Sequence, residues 1–289
     1  MLQTIEKTSY PGGKAGSGVY QKIINLMPPH RVYVEGFLGG GSIMRIKRPA
    51  AVNIGIEIDK DVWAARWIEY DYTNVRVVNC DFLHWLTYSD VPNHEGVLIY
   101  LDPPYLMSTR STKRPIYDHE FHTEAEHAAL LSAILPLSAR VMISGYASQL
   151  YDNMLATWRR IEFTGVSRGG PTTEVVWCNF PEPAELHDYR FLGDTFRQRQ
   201  DIRRQKDRWI ARLRAMPSQK RFAILAATEE FKRLDLSGTN ADERSHNGTA
   251  ADSRDAAELP LPAIGSHTEK IRSASASGEK AVAGSRNVK

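Results

Sequence analysis

The strongest chemical signal in this sequence is Asp102-Pro103-Pro104-Tyr105, which follows the apolar run 97–101. Each proline fixes φ, lacks a backbone donor and disfavours helix for the residue before it. We therefore expect a stiff turn that presents the Asp102 carboxylate, the Pro103 carbonyl and the Tyr105 ring towards one spot. A carboxylate beside a carbonyl is an acceptor pair matched to the two hydrogens of an exocyclic amine. The pattern favours a site for an amino-bearing base over a merely rigid loop.

The ends of three earlier predicted strands carry residues that suit a nucleoside. The glycine run 39–41 lets the backbone adopt positive φ and lets a ligand approach the main chain closely. Glu57 ends the second strand, where an acid can accept hydrogen bonds from ribose hydroxyls. Asp81 and Phe82 follow the third and could accept from an exocyclic amine and stack on a purine. Each feature alone fits a plain turn or helix cap, but together they predict an adenosine pocket. Neither a dinucleotide fingerprint nor a P-loop is complete.

The elements that must position these residues alternate along residues 1–186, which are expected to form one domain. The predicted strands are 32–35, 52–57, 75–78, 97–101, 141–144, 160–166 and 174–179, with helical stretches around 17–27, 59–70, 124–135 and 149–158. This alternation predicts an α/β fold with a mostly parallel sheet and helices on both faces. Ligands of such sheets bind beyond the carboxyl ends of the strands.

Charge is concentrated in the segment after this domain. The chain carries a net charge of only +3, but residues 187–221 contain eleven Lys or Arg against four Asp. Ile202, Trp209 and Leu213 share one face at helical spacing, so 187–235 is predicted to be a basic helical extension. Such a helix could dock through its apolar stripe or neutralise the phosphates of a nucleic acid.

Composition changes again in the last segment and excludes several classes of protein. Residues 236–289 lack Phe, Tyr, Trp, Met and Cys and are predicted to be a disordered tail. No apolar stretch approaches the roughly 20 residues that cross a bilayer, and residues 1–7 contain no hydrophobic signal region. Two cysteines are too few for a disulfide framework, and the nine histidines show no metal-ligand spacing. We therefore expect a cytoplasmic protein with no membrane partner and no metal.

Three sequence blocks, in this order, resemble the signature blocks of the D12-class DNA adenine-N6 methyltransferases, the Dam-like family. They are Tyr10-Pro11-Gly12-Gly13-Lys14, Glu35-Gly36-Phe37-Leu38-Gly39-Gly40-Gly41 and Asp102-Pro103-Pro104-Tyr105. Two later segments are similar to blocks of compact phage-type members, namely Ser144-Gly145-Tyr146 and Thr173-Glu174-Val175-Val176-Trp177. The resemblance spans roughly residues 8–180.

The resemblance implies a fold, a cofactor and a set of site residues. The fold would be a Rossmann-like class I methyltransferase sheet with an antiparallel last strand, and the methyl donor would be S-adenosyl-L-methionine. By position, the residues implied at the target base are Asp102, Pro103, Pro104 and Tyr105. The cofactor contacts implied in the same way are Tyr10, Lys14, Phe37, Gly39, Glu57 and Asp81, with Glu57 at the ribose and Asp81 near the adenine amine.

Recognition of DNA is where the sequence departs from its relatives. Many Dam-like enzymes insert a large target-recognition domain before Asp-Pro-Pro-Tyr, whereas Asp81 and Asp102 are here only 21 positions apart. Recognition must therefore be reduced or fall elsewhere. The candidate nucleic-acid contacts are Arg110, Lys113 and Arg114 in the loop 107–121, and Arg199 and Arg203 in the basic helix. The implied partner is double-stranded DNA.

The expected mechanism follows from the chemistry of the amine. Adenine N6 is a poor nucleophile because its lone pair is delocalised into the ring. Hydrogen bonds from its two N–H groups to Asp102 and the Pro103 carbonyl favour a tetrahedral nitrogen that can attack the methyl group in line. We expect no covalent intermediate, and a base in duplex DNA must flip out of the stack to react. Methylation of RNA, methylation of cytosine N4 and non-catalytic nucleic-acid binding remain alternatives.

Overall fold

The computed structural model describes residues 13–14, 18–67, 74–91, 93–110, 121, 123–167 and 170–244. Its strands are β1 (Val32–Gly36), β2 (Val52–Glu57), β3 (Val75–Asn79), β4 (Val97–Leu101), β5 (Arg140–Gly145), β6 (Arg159–Ser167) and β7 (Gly170–Cys178). Its α-helices are α1 (Val19–Ile24), α2 (Ser42–Ile46), α3 (Lys60–Trp67), α4 (Phe82–Tyr88), α5 (Glu124–Ile134), α6 (Gln149–Met154), α7 (Phe196–Ala215) and α8 (Ser218–Arg244). Tyr10, Lys113 and Arg114, three predicted site residues, lie outside the described residues.

The strands form one sheet in the order β3-β2-β1-β4-β5-β7-β6. Strands β1 to β5 pair in parallel, while β7 runs antiparallel to both β5 and β6. The predicted mostly parallel sheet with an antiparallel last strand is confirmed. From β1 the chain adds β2 and β3 towards one edge of the sheet and then returns to place β4 on the other side of β1. The carboxyl ends of β1 and β4 therefore flank the crevice where sheets of this type bind ligands.

Strand β4 shows why the core has two layers. All of its residues are buried, and successive side chains of a strand point to opposite faces. Val97, Ile99 and Leu101 pack into the apolar cluster on one face, and Leu98 and Tyr100 pack into the cluster on the other. A strand that is apolar throughout is therefore covered by helices on both sides, as the unbroken run 97–101 predicts.

Helices α5 and α6 begin at polar residues that cap their first turns. Thr123 and Glu126 form a capping box at the start of α5, and the Ser148 hydroxyl accepts from a backbone amide at the start of α6. The sequence reading identified α1, α3, α5 and α6 but missed α2 and α4. Helix α2 has five residues and α4 seven, so neither shows the apolar period of 3.6 residues on its own, whereas α1 and α6, with six residues each, lie within the longer amphipathic stretches around 17–27 and 149–158.

The sheet unit continues past the predicted boundary at residue 186. The His187 amide donates to the Met27 carbonyl at 2.9 Å, and the Asp188 carboxylate accepts from the Arg48 amide at 2.8 Å. The chain divides into two compact units at residue 224, within α8. Helix α8 ends at Arg244, so the structure differs from the predicted disordered tail over 236–244. An established helix extends at little cost, because each added residue gains one backbone hydrogen bond.

Helix α7 is the observed form of the basic extension. A capping box of Thr195 and Gln198 begins it, and none of its residues, all of which the structure describes, is buried. Trp209, in the middle of the predicted apolar stripe, is 57% exposed. Within the described residues, the centre of this stripe is therefore not packed in a core. No helix within the described ranges is both long and apolar enough to cross a membrane.

Candidate active site

The carboxyl ends of β4 and β5 position the central carboxylate of the site. Leu101 pairs with Ile143 in the parallel register of the two strands, so Asp102 and Ser144 are neighbours at this edge of the sheet. The Ser144 hydroxyl donates to Asp102 Oδ1 at 2.9 Å, and Lys14 Nζ lies 3.0 Å from the same oxygen. One oxygen of the carboxylate is thus held by the protein itself.

Two acceptors next to each other in sequence are left for a ligand. Within the part of the chain that the structure describes, no hydrogen bond reaches Asp102 Oδ2 or the Pro103 carbonyl. The Asp102 side chain is 19% exposed, which allows a ligand to reach it. Polar groups that are withdrawn from water are normally paired. This pair of open acceptors therefore suits a group that brings two hydrogens, as an amine does.

The Tyr105 ring is fixed at its hydroxyl by two charged side chains. Lys14 Nζ donates to this hydroxyl at 2.5 Å, and the hydroxyl donates to Glu174 Oε2 at 2.5 Å. The Lys14 ammonium also lies 3.6 Å from Glu174 Oε2. Burial raises the pKa of Tyr105, and the charges of Asp102 and Glu174 raise it further, so the ring stays neutral. Tyr146 meets the Tyr105 ring edge to face, with centroids 4.5 Å apart.

The glycine turn after β1 has the backbone geometry that its sequence predicts. Gly39 and Gly41 have φ of 49° and 58°, and Phe37 has φ of 58°, which is unusual for a residue with a side chain. The Gly41 amide donates to the Leu38 carbonyl at 2.7 Å, which closes the turn. Glu57 Oε2 accepts from the Gly39 amide at 2.5 Å, so the acid at the end of β2 and the glycine turn lie together.

Glu57 accepts hydrogen bonds from two backbone amides. Besides Gly39, it accepts from the Asp59 amide through Oε1 at 2.9 Å, and its side chain is almost fully buried. Two amide donors stabilise the ionised carboxylate, and each carboxylate oxygen can accept more than one hydrogen bond. Two backbone amides therefore hold this carboxylate in place beside the glycine turn.

The residues after β3 do not match their predicted roles equally well. Asp81 Oδ1 accepts from the His84 amide at 2.9 Å and so caps α4, which is the simpler reading of an acid at this point. Phe82 is 2% exposed and packs on Trp85 and Phe37 in the core. The expectation that Phe82 stacks on a purine is therefore wrong, because its ring faces are covered by protein.

The predicted nucleic-acid contacts fall in three different settings. Arg110 is buried, and its Nε donates to the Tyr105 carbonyl at 2.5 Å, so it fixes the turn rather than presenting its charge. Arg199, at the start of α7, donates to the carbonyls of Gly193 and Asp194. Arg203 lies exposed on α7. Lys113 and Arg114 lie outside the described residues.

Sequence reasoning did not identify the partners of two side chains at the centre of the site. Glu174 and Ser144 occur in the segments that resemble family blocks, but their partners lie far away along the chain. Glu174 is 69 positions from Tyr105 and Ser144 is 42 positions from Asp102. The signal that could have found them is a buried strand that carries one polar residue at the carboxyl edge of the sheet, since such a residue requires a partner.

A further buried acid lies close enough to influence Asp102. Burial raises the pKa of Glu35 on β1 to about 8; the hydroxyl of Tyr33, which donates to it at 3.0 Å, opposes this shift, and the charge of Asp102 adds to it. Lys47, on the same side of the sheet, has its pKa lowered to about 7 by burial. Among the described residues, no group of three or more His, Cys, Asp or Glu side chains is arranged to hold a metal ion.

The strand order with an antiparallel β7 is the Rossmann-like sheet of class I methyltransferases. No protein-family model matches this chain, and no curated protein matches it in sequence. Among solved structures it is similar to three described as methyltransferases or as binding their cofactor.

The first is TrmK of M. capricolum in complex with S-adenosylhomocysteine, at 6% identity and a TM-score of 0.39, covering 76% of this chain and 97% of that one. A dimethyladenosine transferase from Plasmodium falciparum gives 15% identity and a TM-score of 0.37, covering 56% and 61%. Magnesium protoporphyrin IX methyltransferase from Synechocystis PCC 6803 with bound S-adenosylmethionine has 12% sequence identity and a TM-score of 0.35, and the match covers 53% of this chain and 71% of that one. With TM-scores this low, neither the substrate nor the reaction of these proteins can be assigned to this chain. The fold assignment rests on the strand order.

Proposed function

We propose that this protein transfers a methyl group from S-adenosyl-L-methionine to the exocyclic N6 of adenine in DNA. The observation that supports this most is the pair of open acceptors at the end of β4, Asp102 Oδ2 and the Pro103 carbonyl. They follow each other in the chain at the carboxyl edge of a methyltransferase sheet. An NH₂ group on a planar ring is the ligand that matches two such acceptors beside the ring of Tyr105.

The cofactor proposal fits the residues on the other side of the crevice. The turn at Phe37 and Gly39 would approach the nucleoside, and Glu57, held by its two amide donors, would accept the ribose hydroxyls. Tyr10 and Asp81 are assigned to the cofactor by resemblance to the D12 class alone. When bound, the cofactor supplies an electrophilic methyl group on a sulfonium.

The protein's own residues would make the amine nucleophilic. An N–H donated to Asp102 and a second to the Pro103 carbonyl favour a tetrahedral nitrogen, which localises the lone pair. The Tyr105 ring, held by Lys14 and Glu174, would stack on the base and hold it in place. Positioning of this kind can supply a large part of the acceleration, because the acceptors need no reorganisation during reaction.

The DNA proposal combines the resemblance to the D12 class with the exposed charge of α7. Its arginines, including Arg199 and Arg203, would contact phosphates, and Lys113 and Arg114 would act near the flipped base. Phosphate contacts position a protein on the duplex but carry no base specificity. We therefore infer that the sheet domain carries out methyl transfer and that the basic helical extension holds the duplex.

Methyl incorporation is the direct test. Purified protein, S-adenosylmethionine with a tritiated methyl group and one of three polymers, duplex DNA, single-stranded DNA or RNA, would be compared for transfer. Nucleoside digestion and mass spectrometry then identify the product. We expect N6-methyladenine in duplex DNA, its loss in Asp102→Ala, and unchanged activity in the control Asp194→Ala, whose carboxylate pairs with Lys22 on the surface.

Each other result corrects a specific part of the proposal. If the label appeared only in RNA, or only as N4-methylcytosine, the proposed substrate would be wrong, whereas the proposed site would stand. Full activity in Asp102→Ala would remove the assigned target-base site. No binding of S-adenosylmethionine by calorimetry, together with retained binding of DNA, would leave a non-catalytic nucleic-acid-binding protein.

A further inference from the structure

A chain of hydrogen bonds joins the core of the sheet to Asp102. The Tyr100 hydroxyl lies 2.9 Å from Ser144 Oγ, and Ser144 Oγ lies 2.9 Å from Asp102 Oδ1. Tyr100 on β4 and Ser144 on β5 are both fully buried. These hydrogen bonds link the apolar interior to Oδ1 of the Asp102 carboxylate, and the other carboxylate oxygen, Oδ2, is open to a ligand.

The positions of the hydrogens follow from the burial of Tyr100. Burial raises the pKa of Tyr100 and the charge of Asp102 raises it further, so the phenol keeps its proton. Within the described part of the chain, Ser144 Oγ is the one hydrogen-bond partner of the Tyr100 hydroxyl, which makes Tyr100 the donor. The single hydrogen of Ser144 then has two acceptors, the Leu101 carbonyl at 3.3 Å and Asp102 Oδ1 at 2.9 Å. The shorter contact to the charged acceptor is the stronger bond.

We propose that Ser144 and Tyr100 are positioning residues that orient the Asp102 carboxylate for the methyl-transfer reaction, an inference that rests on the proposed function. A carboxylate that follows the end of a strand, as Asp102 follows β4, can rotate about its side-chain bonds. A donor fixed in a close-packed core holds Oδ1 and so leaves Oδ2 in one orientation towards the amine. Lys14 also contacts Oδ1, but its ammonium is shared with Tyr105 and Glu174, whereas the Ser144 hydroxyl is fixed within the sheet.

Neither residue contacts the base or the cofactor in this proposal, so their removal should lower the rate of transfer and leave binding intact. Ser144→Ala removes the direct donor, and misorientation of one acceptor is expected to lower kcat by roughly tenfold to a hundredfold. Tyr100→Phe leaves Ser144 able to donate and removes only the bond that aligns it, so a loss of about threefold to fivefold is expected. The dissociation constant for S-adenosylmethionine should stay within about twofold of the wild-type value.

The experiment is a double-mutant cycle in the methyl-incorporation assay. Because Tyr100 acts through Ser144, the double variant should be no slower than Ser144→Ala alone. The control is Ser148→Ala, which removes a nearby hydroxyl that caps α6 and does not contact Asp102. It should leave kcat unchanged.

The results separate this inference from the function on which it rests. Loss of activity in Asp102→Ala with wild-type kcat in both Ser144→Ala and Tyr100→Phe would overturn the positioning role and leave the proposed function standing. Full activity in Asp102→Ala would overturn both. If Ser144→Ala fails to fold, Tyr100→Phe decides the question alone, since it keeps the ring that packs the core. A kcat equal to the wild type in that variant overturns the inference.

Discussion

Lys14 Nζ lies 3.0 Å from Asp102 Oδ1, so a turn that precedes the sheet supplies a cation to the residue at the end of its central strand. The same ammonium donates to the Tyr105 hydroxyl and lies 3.6 Å from Glu174. Both side chains of the ion pair are largely buried, at 8% and 19% exposure. The cation therefore balances two carboxylates that would otherwise repel each other in a region of low dielectric constant.

Replacing Lys14 by methionine should separate a role at the target base from the cofactor contact implied by resemblance. Lys14→Met removes the ammonium and keeps an apolar side chain of similar length. We expect kcat to fall roughly tenfold to a hundredfold, because the base-binding ring and carboxylate lose their common partner. Calorimetry should show unchanged affinity for S-adenosylmethionine. The control is Lys22→Met, which breaks an exposed ion pair with Asp194. A large loss of cofactor affinity in Lys14→Met would instead place Lys14 at the cofactor.

The Tyr105 and Glu174 side chains should behave as a coupled pair. Tyr105→Phe keeps the stacking ring and removes the hydroxyl, whereas Glu174→Gln keeps an acceptor and removes the charge. Each is expected to lower kcat/KM about tenfold, close to the 1.4 kcal/mol of one well-formed hydrogen bond to a charged group. The double variant should be little worse than either single one. The exposed Glu162→Gln on β6 serves as control, and additive losses would show that the two residues act separately.

The sequence predicted the layers of the fold because its signals were local. The apolar run that became β4 reads as a strand buried on both faces, and the prolines after it define a turn without any knowledge of the rest of the chain. The glycine run likewise predicted positive φ at Gly39 and Gly41. Helices α2 and α4 gave no periodic signal of their own and were missed, whereas the equally short α1 and α6 lie within longer amphipathic stretches.

The partners within the site could not be predicted in the same way. The contacts of Asp102 with Lys14 and Ser144 depend on which strand ends meet at one edge and on where a turn before the sheet returns to it. Asp81 shows the opposite case, since an acid before an apolar run fits both a helix cap and a ligand contact. Only the observed bond to the His84 amide identifies it as a cap.

Glu57 should control affinity for the cofactor. Glu57→Gln leaves one of the two amide donors without a carboxylate acceptor and removes the charge that would hold the ribose hydroxyls. The dissociation constant for S-adenosylmethionine is expected to rise about tenfold or more, with DNA binding unchanged. Asp59→Asn, which alters the acid that caps α3, is the matched control measured by the same calorimetry. Equal affinities in Glu57→Gln and wild type would exclude Glu57 from the cofactor site.

The buried acid Glu35 should make the folded state less stable as pH rises. Its pKa is raised by burial from 4.5 to about 8, so between these values the native state holds a proton that the unfolded state has released. The contribution of Glu35 to the free energy of unfolding is fully present below pH 4.5. It decreases between pH 4.5 and pH 8, by at most about 1.4 kcal/mol for each pH unit. Glu35→Gln mimics the protonated form and still accepts from Tyr33. Denaturant unfolding should therefore show a smaller loss of stability between pH 5 and 8 in this variant than in wild type, and equal pH slopes would contradict the buried, protonated state.

The arginines of α7 should determine how strongly salt weakens DNA binding. Arg203 and Arg208 lie exposed on a helix with no buried residue, and each phosphate that they neutralise releases counterions. Replacing both by glutamate should weaken binding to duplex DNA and lower the slope of log K against log salt by about 2. The control variant replaces Arg31 and Arg48 by glutamate. These two arginines are exposed near the amino ends of β1 and β2, at the opposite edge of the sheet from the site. If the α7 variant kept the wild-type slope, or if the control changed it as much, the helix would not be the surface that binds the DNA backbone.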